Sequence, residues 1–479
     1  MLDLRSFLKQ SSIYTISTFL SRAITLLLIP FYTRVLSPAD YGAVDILTVS
    51  CTLINLTIAF EVHQAIARFY NEWEPDKRLI YISTAFIFTI FIYTIFSFLM
   101  YPFRSWLAGY FLEDITKTEV IVATLFMAWT SGLYYFTQSQ LRWQLKAKAH
   151  AITSVVFTIA TTLLTILLVL QYNLGVLGVI YGLVLGNAVG VVLSLYYARN
   201  SYGLVFKFEK LVEMLKFSTP LVLSSVSVFF SMYIDRIMIK DMLSLTDLGL
   251  FSIGYKFASI VGLLMVGVNS AITPLIYTHY NDPTTPKQLS KIFTMFSFVA
   301  MILFVGISIM SAEIISIFTT EAYAGASLVI PYLIMTTLLA SLYNFTPGLF
   351  IAKKTKIIAS INIITAIINI ILNILLIPIW GIQGACIATL SGYLISFLGY
   401  YFYNQKYYPI SFNWNRTSLV LVFSLVTISL ASLLPELSIA LSIIFKIGVL
   451  TLYSILSFLL IADEKLRKRI TNVKLLRNN

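Results

Sequence analysis

Five polar residues share one face of an otherwise apolar run near the N-terminus. In residues 10–34 (QSSIYTISTFLSRAITLLLIPFYTR), Ser11, Thr15, Thr18, Arg22 and Thr25 are spaced 4, 3, 4 and 3 apart, which stacks them along one side of a helix. The run is long enough to cross a bilayer, which takes about 20 residues, and Arg22 is its middle residue. A guanidinium at that depth is costly unless it faces water, protein or a ligand. Three more runs carry such stripes: Asp45, Thr48, Thr52 and Asn55 in 41–68; Ser224, Ser227, Ser231 and Asp235 in 216–240; Ser252, Lys256 and Ser259 in 247–278. Arg22 and Lys256 together suit a phosphate or diphosphate, because arginine offers a bidentate fork and lysine a point charge. Both attractions strengthen away from bulk water. Thr18, Asn55 and Arg236 complete the candidate ligand-binding set. Asp45, Asp235 and Glu61 are carboxylates placed to couple to a proton or sodium ion.

Each assignment has a structural alternative. Arg22 fits a salt bridge within the membrane as well as a cavity wall, and Lys256 can snorkel outward. Asp235 and Arg236 are adjacent, about 100° apart on a helix, and read as an ion pair or interface anchor as readily as ligands. His63 reads as a packed residue and Lys446 as a snorkelling lysine. Asn362, Thr365, Asn369 and Asn373 stripe one helix and read as interhelical hydrogen-bonding groups.

The elements that must position these residues are membrane helices. Of 479 residues, 58% are hydrophobic and 11% charged, with mean hydropathy +0.87; soluble domains carry roughly 25% charged residues. The apolar runs are of helical length and lack the short alternating pattern of a membrane barrel. Fourteen are expected: 10–34, 41–68, 79–100, 119–141, 149–170, 174–198, 216–240, 247–278, 287–310, 324–351, 356–377, 381–403, 417–434 and 437–462. Pro30, Pro220, Pro274, Pro331 and Pro347 fall in or at the ends of runs and are candidate kinks. The charged, amphipathic N-terminus and the length of the first run argue against a cleaved signal peptide. Cys51 and Cys386 sit in separate runs and imply neither a disulfide nor a metal site. There is no GxxxxGK[ST] loop, no HExxH and no soluble domain. Neither a cofactor nor an enzymatic activity is expected, and ATP is not the direct drive.

Basic residues assign the orientation. An even number of spans puts both termini on one side. The termini and even-numbered connections then hold 24 of the 33 Lys and Arg, against 4 in the odd-numbered connections. That asymmetry places both termini in the cytoplasm and explains the net charge of +12 without nucleic acid as a partner.

The chain also repeats itself. LKQS at 8–11 returns as LKFS at 215–218, and SPADYG at 37–42 returns as SLTDLG at 244–249, both offset by 207. HQAIARF at 63–69 aligns with NSAITPL at 269–275, and GVLG at 175–178 with GIQG at 381–384, offset by 206. The expected organisation is an all-α integral membrane protein with two parallel six-helix lobes, 1–200 and 216–406. They are joined by a charged linker at 201–215 and followed by helices at 416–462 and a basic cytoplasmic tail at 463–479. Two similar lobes with a site between them is the arrangement of alternating access.

At these residues the chain resembles a known family. ITLLLIPFYTRVLSPADYG within 24–42, AIARFY at 65–70 and YIDRIMIKDMLSLTDLGLFSIGYKFASI at 233–260 are similar to the bacterial polysaccharide-biosynthesis flippases that serve O-antigen, lipopolysaccharide, capsule and exopolysaccharide. These belong to the multidrug/oligosaccharidyl-lipid/polysaccharide exporter (MOP) superfamily. The resemblance spans about 1–400. It implies a V-shaped bundle in the bacterial inner membrane with a cationic cavity, whose matching positions here are Arg22 and Lys256. It implies as cargo undecaprenyl-pyrophosphate-linked oligosaccharide, moved from the cytoplasmic to the periplasmic leaflet. A polysaccharide polymerase and a chain-length regulator are partners that such a pathway would supply. A cation-coupled multidrug exporter and a lipid II flippase are the nearest alternatives. A membrane-embedded polymerase fits less well, since no sizeable catalytic segment is present.

Overall fold

The computed structural model describes residues 4–70, 72–433 and 438–461, and every regular element among them is a helix. The basic tail expected at 463–479 and the side chain of Ser11 lie outside the described residues. In chain order the helices are α1 (Leu4–Leu27), α2 (Ile29–Val35), α3 (Pro38–Thr57), α4 (Val62–Phe69), α5 (Pro75–Met100), α6 (Arg104–Leu112), α7 (Thr118–Trp143), α8 (Ala147–Leu170) and α9 (Gly175–Ala198). They continue as α10 (Phe208–Met242), α11 (Leu245–His279), α12 (Thr285–Ile309), α13 (Ser311–Phe318), α14 (Ile330–Ser341), α15 (Gly348–Ile351), α16 (Thr355–Tyr407), α17 (Trp414–Ser432) and α18 (Ile439–Ile461). Short 3₁₀ turns join several of them.

Among the described residues, eleven helices are long and apolar enough to cross a membrane, or thirteen if each of two bent pairs counts as a span. The bent pairs are α3 with α4, at 52°, and 321–328 with 330–345, at 48°. Fourteen runs were expected. Two of them, 356–377 and 381–403, share the 53-residue α16, which is broken at Gly381 (φ 56°, ψ −137°). Only glycine takes that backbone geometry without strain, so a single residue separates the two runs. Pro30 and Pro331 each sit in the first turn of a new helix, α2 and α14, where the missing N–H costs nothing. Pro220 stays inside α10.

The chain divides into two compact units, 1–253 with 370–385, and 254–369 with 386–479. The sequence repeat turns over near residue 207, so its boundary and that of the compact units do not coincide. In the first unit, Val62, Ala65 and Ile66 of α4, Tyr81, Ile82 and Ala85 of α5, Phe136 of α7 and Leu211 and Met214 of α10 form one core. The charged stretch 205–213 runs into α10, where Glu213 accepts a 2.7 Å hydrogen bond from Tyr81. In the second unit α12 packs against both C-terminal helices. Lys446 of α18 does not snorkel. It is half-buried beside the buried Glu313 of α13, Nζ to Oε1 2.5 Å, and Ser442 donates to the same carboxylate. A lysine with a carboxylate in reach gains more from that partner than from stretching toward headgroups.

Two glycines of the repeated motifs permit a backbone contact inside the first unit. A Cβ on Gly42 would stand 2.0 Å from the Leu245 carbonyl oxygen, and one on Gly249 would stand 1.9 Å from that of Pro38. Alanine at either position is expected to destabilise the protein by about 1–3 kcal/mol through overpacking. Gly448, with nothing within 4 Å of its virtual Cβ, should tolerate alanine. Melting temperatures of the purified variants in one detergent check the contrast.

Candidate functional site

The repeated motifs start helices in the same way. Ser37 caps α3, its Oγ accepting from the Asp40 amide (3.2 Å) while the Asp40 carboxylate accepts from the Ser37 amide (3.1 Å). At the start of α11 the Asp247 amide donates to Ser244 Oγ (3.1 Å), and that hydroxyl donates to the Asp247 carboxylate (2.6 Å). The first is a complete capping box, and the second repeats its serine-to-amide bond. The Gly42–Gly249 contact lies one turn further on.

One more turn along stands Asp45. Arg236 Nε of α10 donates to Asp45 Oδ2 at 2.9 Å and Ser252 Oγ of α11 donates to the same oxygen at 2.8 Å. Asp45 and Ser252 are themselves separated by the repeat offset of 207. Arg236 is buried and also lies over the Tyr233 and Phe251 rings. Next to it, the Asp235 carboxylate accepts from Asn373 Nδ2 at 2.7 Å. The backbone contact, the capped helix starts and the ion pair together make a lock at the start of α3 and α11 and the end of α10. Beside it is a cavity of about 540 Å³ lined by Asp40, Glu113, Lys117 and Ser244 among others.

The other candidates fall in different settings. Arg22 is exposed on α1 and holds no ion pair among the described residues. Thr18, one turn before it, is exposed and donates to the Tyr14 carbonyl at 2.8 Å. Asn55 is spent on helix contacts: it accepts from Tyr93 Oη and donates to Ser131 Oγ, each at 3.0 Å. Lys256 belongs to the second unit, is half-buried and likewise lacks an ion pair among the described residues. Glu61 sits in the bend between α3 and α4, where Phe60 and Glu61 both take left-handed backbone angles (φ 49° and 53°). Two consecutive non-glycine residues in that region are a stored strain. Its carboxylate is buried, 3.3 Å from His63 Nε2. Of the α16 asparagines, Asn369 donates to Thr389 (3.3 Å) and Asn362 accepts from Tyr400 (3.2 Å), as interhelical hydrogen bonding requires. No group of three or more His, Cys, Asp or Glu among the described residues could hold a metal ion.

Sequence reasoning missed the pairing of Asp45 with Arg236, which are 191 positions apart. The repeat offset that links Asp45 to Ser252 was its available signal.

A family model described as "Polysaccharide biosynthesis protein" matches residues 31–328. The chain belongs to that family. Family membership confirms the resemblance seen in the three sequence motifs. Among curated proteins, it is 25% identical over 377 residues to "Lsg locus putative protein 1" of Haemophilus influenzae, across 76% of this chain and 89% of that one. It is 23% identical over 245 residues to "Probable low-salt glycan biosynthesis flippase Agl15" of Haloferax volcanii, across 50% of this chain and 52% of that one. Among solved structures it shares its fold with "Lipid II flippase MurJ, inward closed conformation" (TM-score 0.71, 17% identity, 93% of this chain and 98% of that one). It shares it also with an inward-facing multidrug resistance MATE family transporter of the MOP superfamily (TM-score 0.62, 14% identity, 80% and 94%). At such identities the likeness is one of fold.

For this polysaccharide biosynthesis family member, the lock is a testable feature. Arg236→Gln leaves the Asp45 carboxylate without its cation. The expected cost is about 2–3 kcal/mol, toward the low end for breaking a buried pair because Asp45 keeps some exposure. Arg236→Gln combined with Asp45→Asn should cost less than the two single changes summed. Urea or thermal unfolding of the four proteins gives the coupling energy directly.

Proposed function

We propose that the protein is a lipid-linked oligosaccharide flippase, moving undecaprenyl-pyrophosphate-linked polysaccharide repeat units from the cytoplasmic to the outer leaflet of the bacterial inner membrane. Both termini face the cytoplasm. Alternating access carries the cargo, with the diphosphate attracted to Arg22 and Lys256, the glycan following the polar stripes and the prenyl tail remaining in lipid. Asp45, Asp235 and Glu61 are the groups through which an ion gradient would act. The first two already hold hydrogen bonds that any opening of their helices must break.

Membership of the polysaccharide biosynthesis family supports the cargo class. The observation that carries the mechanism is Arg22: mid-helix, exposed and without an ion pair among the described residues. A structural salt bridge would have given it a carboxylate. A charge left open in an apolar segment is the arrangement expected of a residue that meets an anionic ligand. The fold shared with the lipid II flippase MurJ favours a second reading, a flippase for the cell-wall precursor, which presents the same prenyl diphosphate with a different glycan.

Complementation separates them. Expression is expected to restore surface polysaccharide in a strain blocked in its export, and not growth in a strain blocked in cell-wall precursor flipping. Arg22→Ala at normal abundance should cut export about tenfold or more, the consequence of losing charge-assisted bonds worth about 1.5–3 kcal/mol. Full export by that variant would remove Arg22 from the mechanism.

A further inference from the structure

The stretch between α9 and α10 reads from sequence as a charged linker, yet its most exposed side chains are apolar. Leu204 is fully exposed (102%), Phe208 is 68% exposed and Phe206 47%. Residues 202–207 are not helical. Leu204, Phe206 and Phe208 alternate along them, the spacing that puts the side chains of an extended chain on one side. The backbone of this strap is held in place. The Gly203 amide donates to Ser83 Oγ of α5 at 2.8 Å, and the Lys207 amide donates to Thr84 Oγ1 at 3.1 Å. Tyr202 packs on Phe86 of α5, with 4.9 Å between ring centroids. Gln144 Nε2, just past α7, donates to Ser201 Oγ at 2.7 Å. All of these residues belong to the first compact unit. Apolar side chains held out by a fixed backbone stay exposed in water at a cost in free energy.

The position of the strap along α5 points to what covers it. Beyond the far end of α5, Tyr101, Phe103 and Trp106 are exposed as well, and tyrosine and tryptophan are the residues enriched at headgroup level. Tyr101 follows Ser83 by 18 residues, about 27 Å of helix, against a hydrocarbon core of about 30 Å. With that end of α5 at one interface, the strap stands at the other. It also joins two membrane-length spans directly, one ending at Ser201 and the next beginning at Phe208. Backbone that leaves water needs its N–H groups satisfied from within the protein, as Ser83 and Thr84 satisfy those of Gly203 and Lys207. Two cations flank the apolar side chains: Lys207, between Phe206 and Phe208, and Arg199, over the Tyr196 ring at 5.0 Å. Both are exposed, and neither holds an ion pair among the described residues. Of the nearby acids, Glu213 is spent on Lys210 and Tyr81, and Glu209 is exposed. Aromatic and aliphatic side chains beside basic ones are the composition of a segment that lies in the membrane surface and attracts anionic lipid.

We propose that residues 202–208 are an interfacial anchor, with Leu204, Phe206 and Phe208 among the acyl chains and Lys207 and Arg199 at the headgroups of anionic phospholipid. On the orientation proposed above, this is the cytoplasmic leaflet. The anchor does not depend on the identity of the cargo. It fixes the junction of the two sequence repeats to the membrane surface.

Leu204→Cys, labelled with an environment-sensitive fluorophore on the full-length protein in nanodiscs, tests this. Cys51 and Cys386 are buried, so the new thiol takes the label, and wild type measures the background. The nanodiscs hold phosphatidylcholine alone or equal parts of phosphatidylcholine and phosphatidylglycerol. Emission is expected to lie to the blue of the same label in water. A nitroxide carried on the lipid near its headgroup should remove most of the emission, while acrylamide in the water removes little. Phosphatidylglycerol is expected to move the emission further to the blue, and Arg199→Gln combined with Lys207→Gln to abolish that further shift. Quenching by acrylamide alone would place the strap in water, and protection from both quenchers would place it under protein; either result overturns the proposal. Lipid quenching with the same emission in both mixtures refutes the headgroup contact. Should Leu204→Cys fail to fold, Phe206→Cys carries the label, with the same results required.

Discussion

Charge surrounded by hydrocarbon has to be matched, and that requirement organises this molecule. Where a carboxylate and a cation meet, as Asp45 meets Arg236 and Glu313 meets Lys446, the pair fastens helices that are far apart in sequence. Where a cation is left open, as at Arg22, its side chain is exposed and holds no ion pair among the described residues. The same rule thus separates cations that hold elements together from cations left without an acid. Which kind a given residue belongs to depends on whether an acid is brought within reach.

The lock in the first unit shows how the internal repeat is used. Duplicated motifs give two helices the same serine-to-amide bond and the same glycine one turn later. The glycines permit backbone-to-backbone contact that no side chain could sustain, and the next turn places Asp45 opposite its repeat counterpart Ser252. Divergence at that single pair of positions turns a symmetric contact into a charged one, with Arg236 supplying the cation. Capping hydrogen bonds, close packing and one ion pair act together there. The lock is limited in extent, because each of its bonds is individually worth only a few kcal/mol at most.

Breaks in helices mark other distinctive positions. Gly381 separates two spans by one residue, and the paired left-handed residues Phe60 and Glu61 bend the second span around a buried carboxylate–imidazole pair. Non-helical backbone at such depth persists where protein side chains surround it. The strain at Glu61 is consistent with a site whose geometry is held by its neighbours rather than by local preference.

Much of this was legible in the sequence. Apolar run lengths determined the helical membrane class, and all of the expected runs have helical counterparts because a bilayer-length segment has no other way to satisfy its backbone. Pro30 and Pro331, the return of SPADYG as SLTDLG and the asparagine stripe were readable for the same reason: their chemistry is local. The merging of two runs across Gly381 and the partners of Asp45, Lys446 and Asn55 were not. Each depends on which distant side chain arrives within about 3 Å, and a stripe of polar residues says only that something polar must be faced. Sequence determined that Arg22, Asp45 and Arg236 carry charge on helix faces; tertiary structure decided that the last two neutralise one another and the first stays open, because pairing is set by packing and not by spacing.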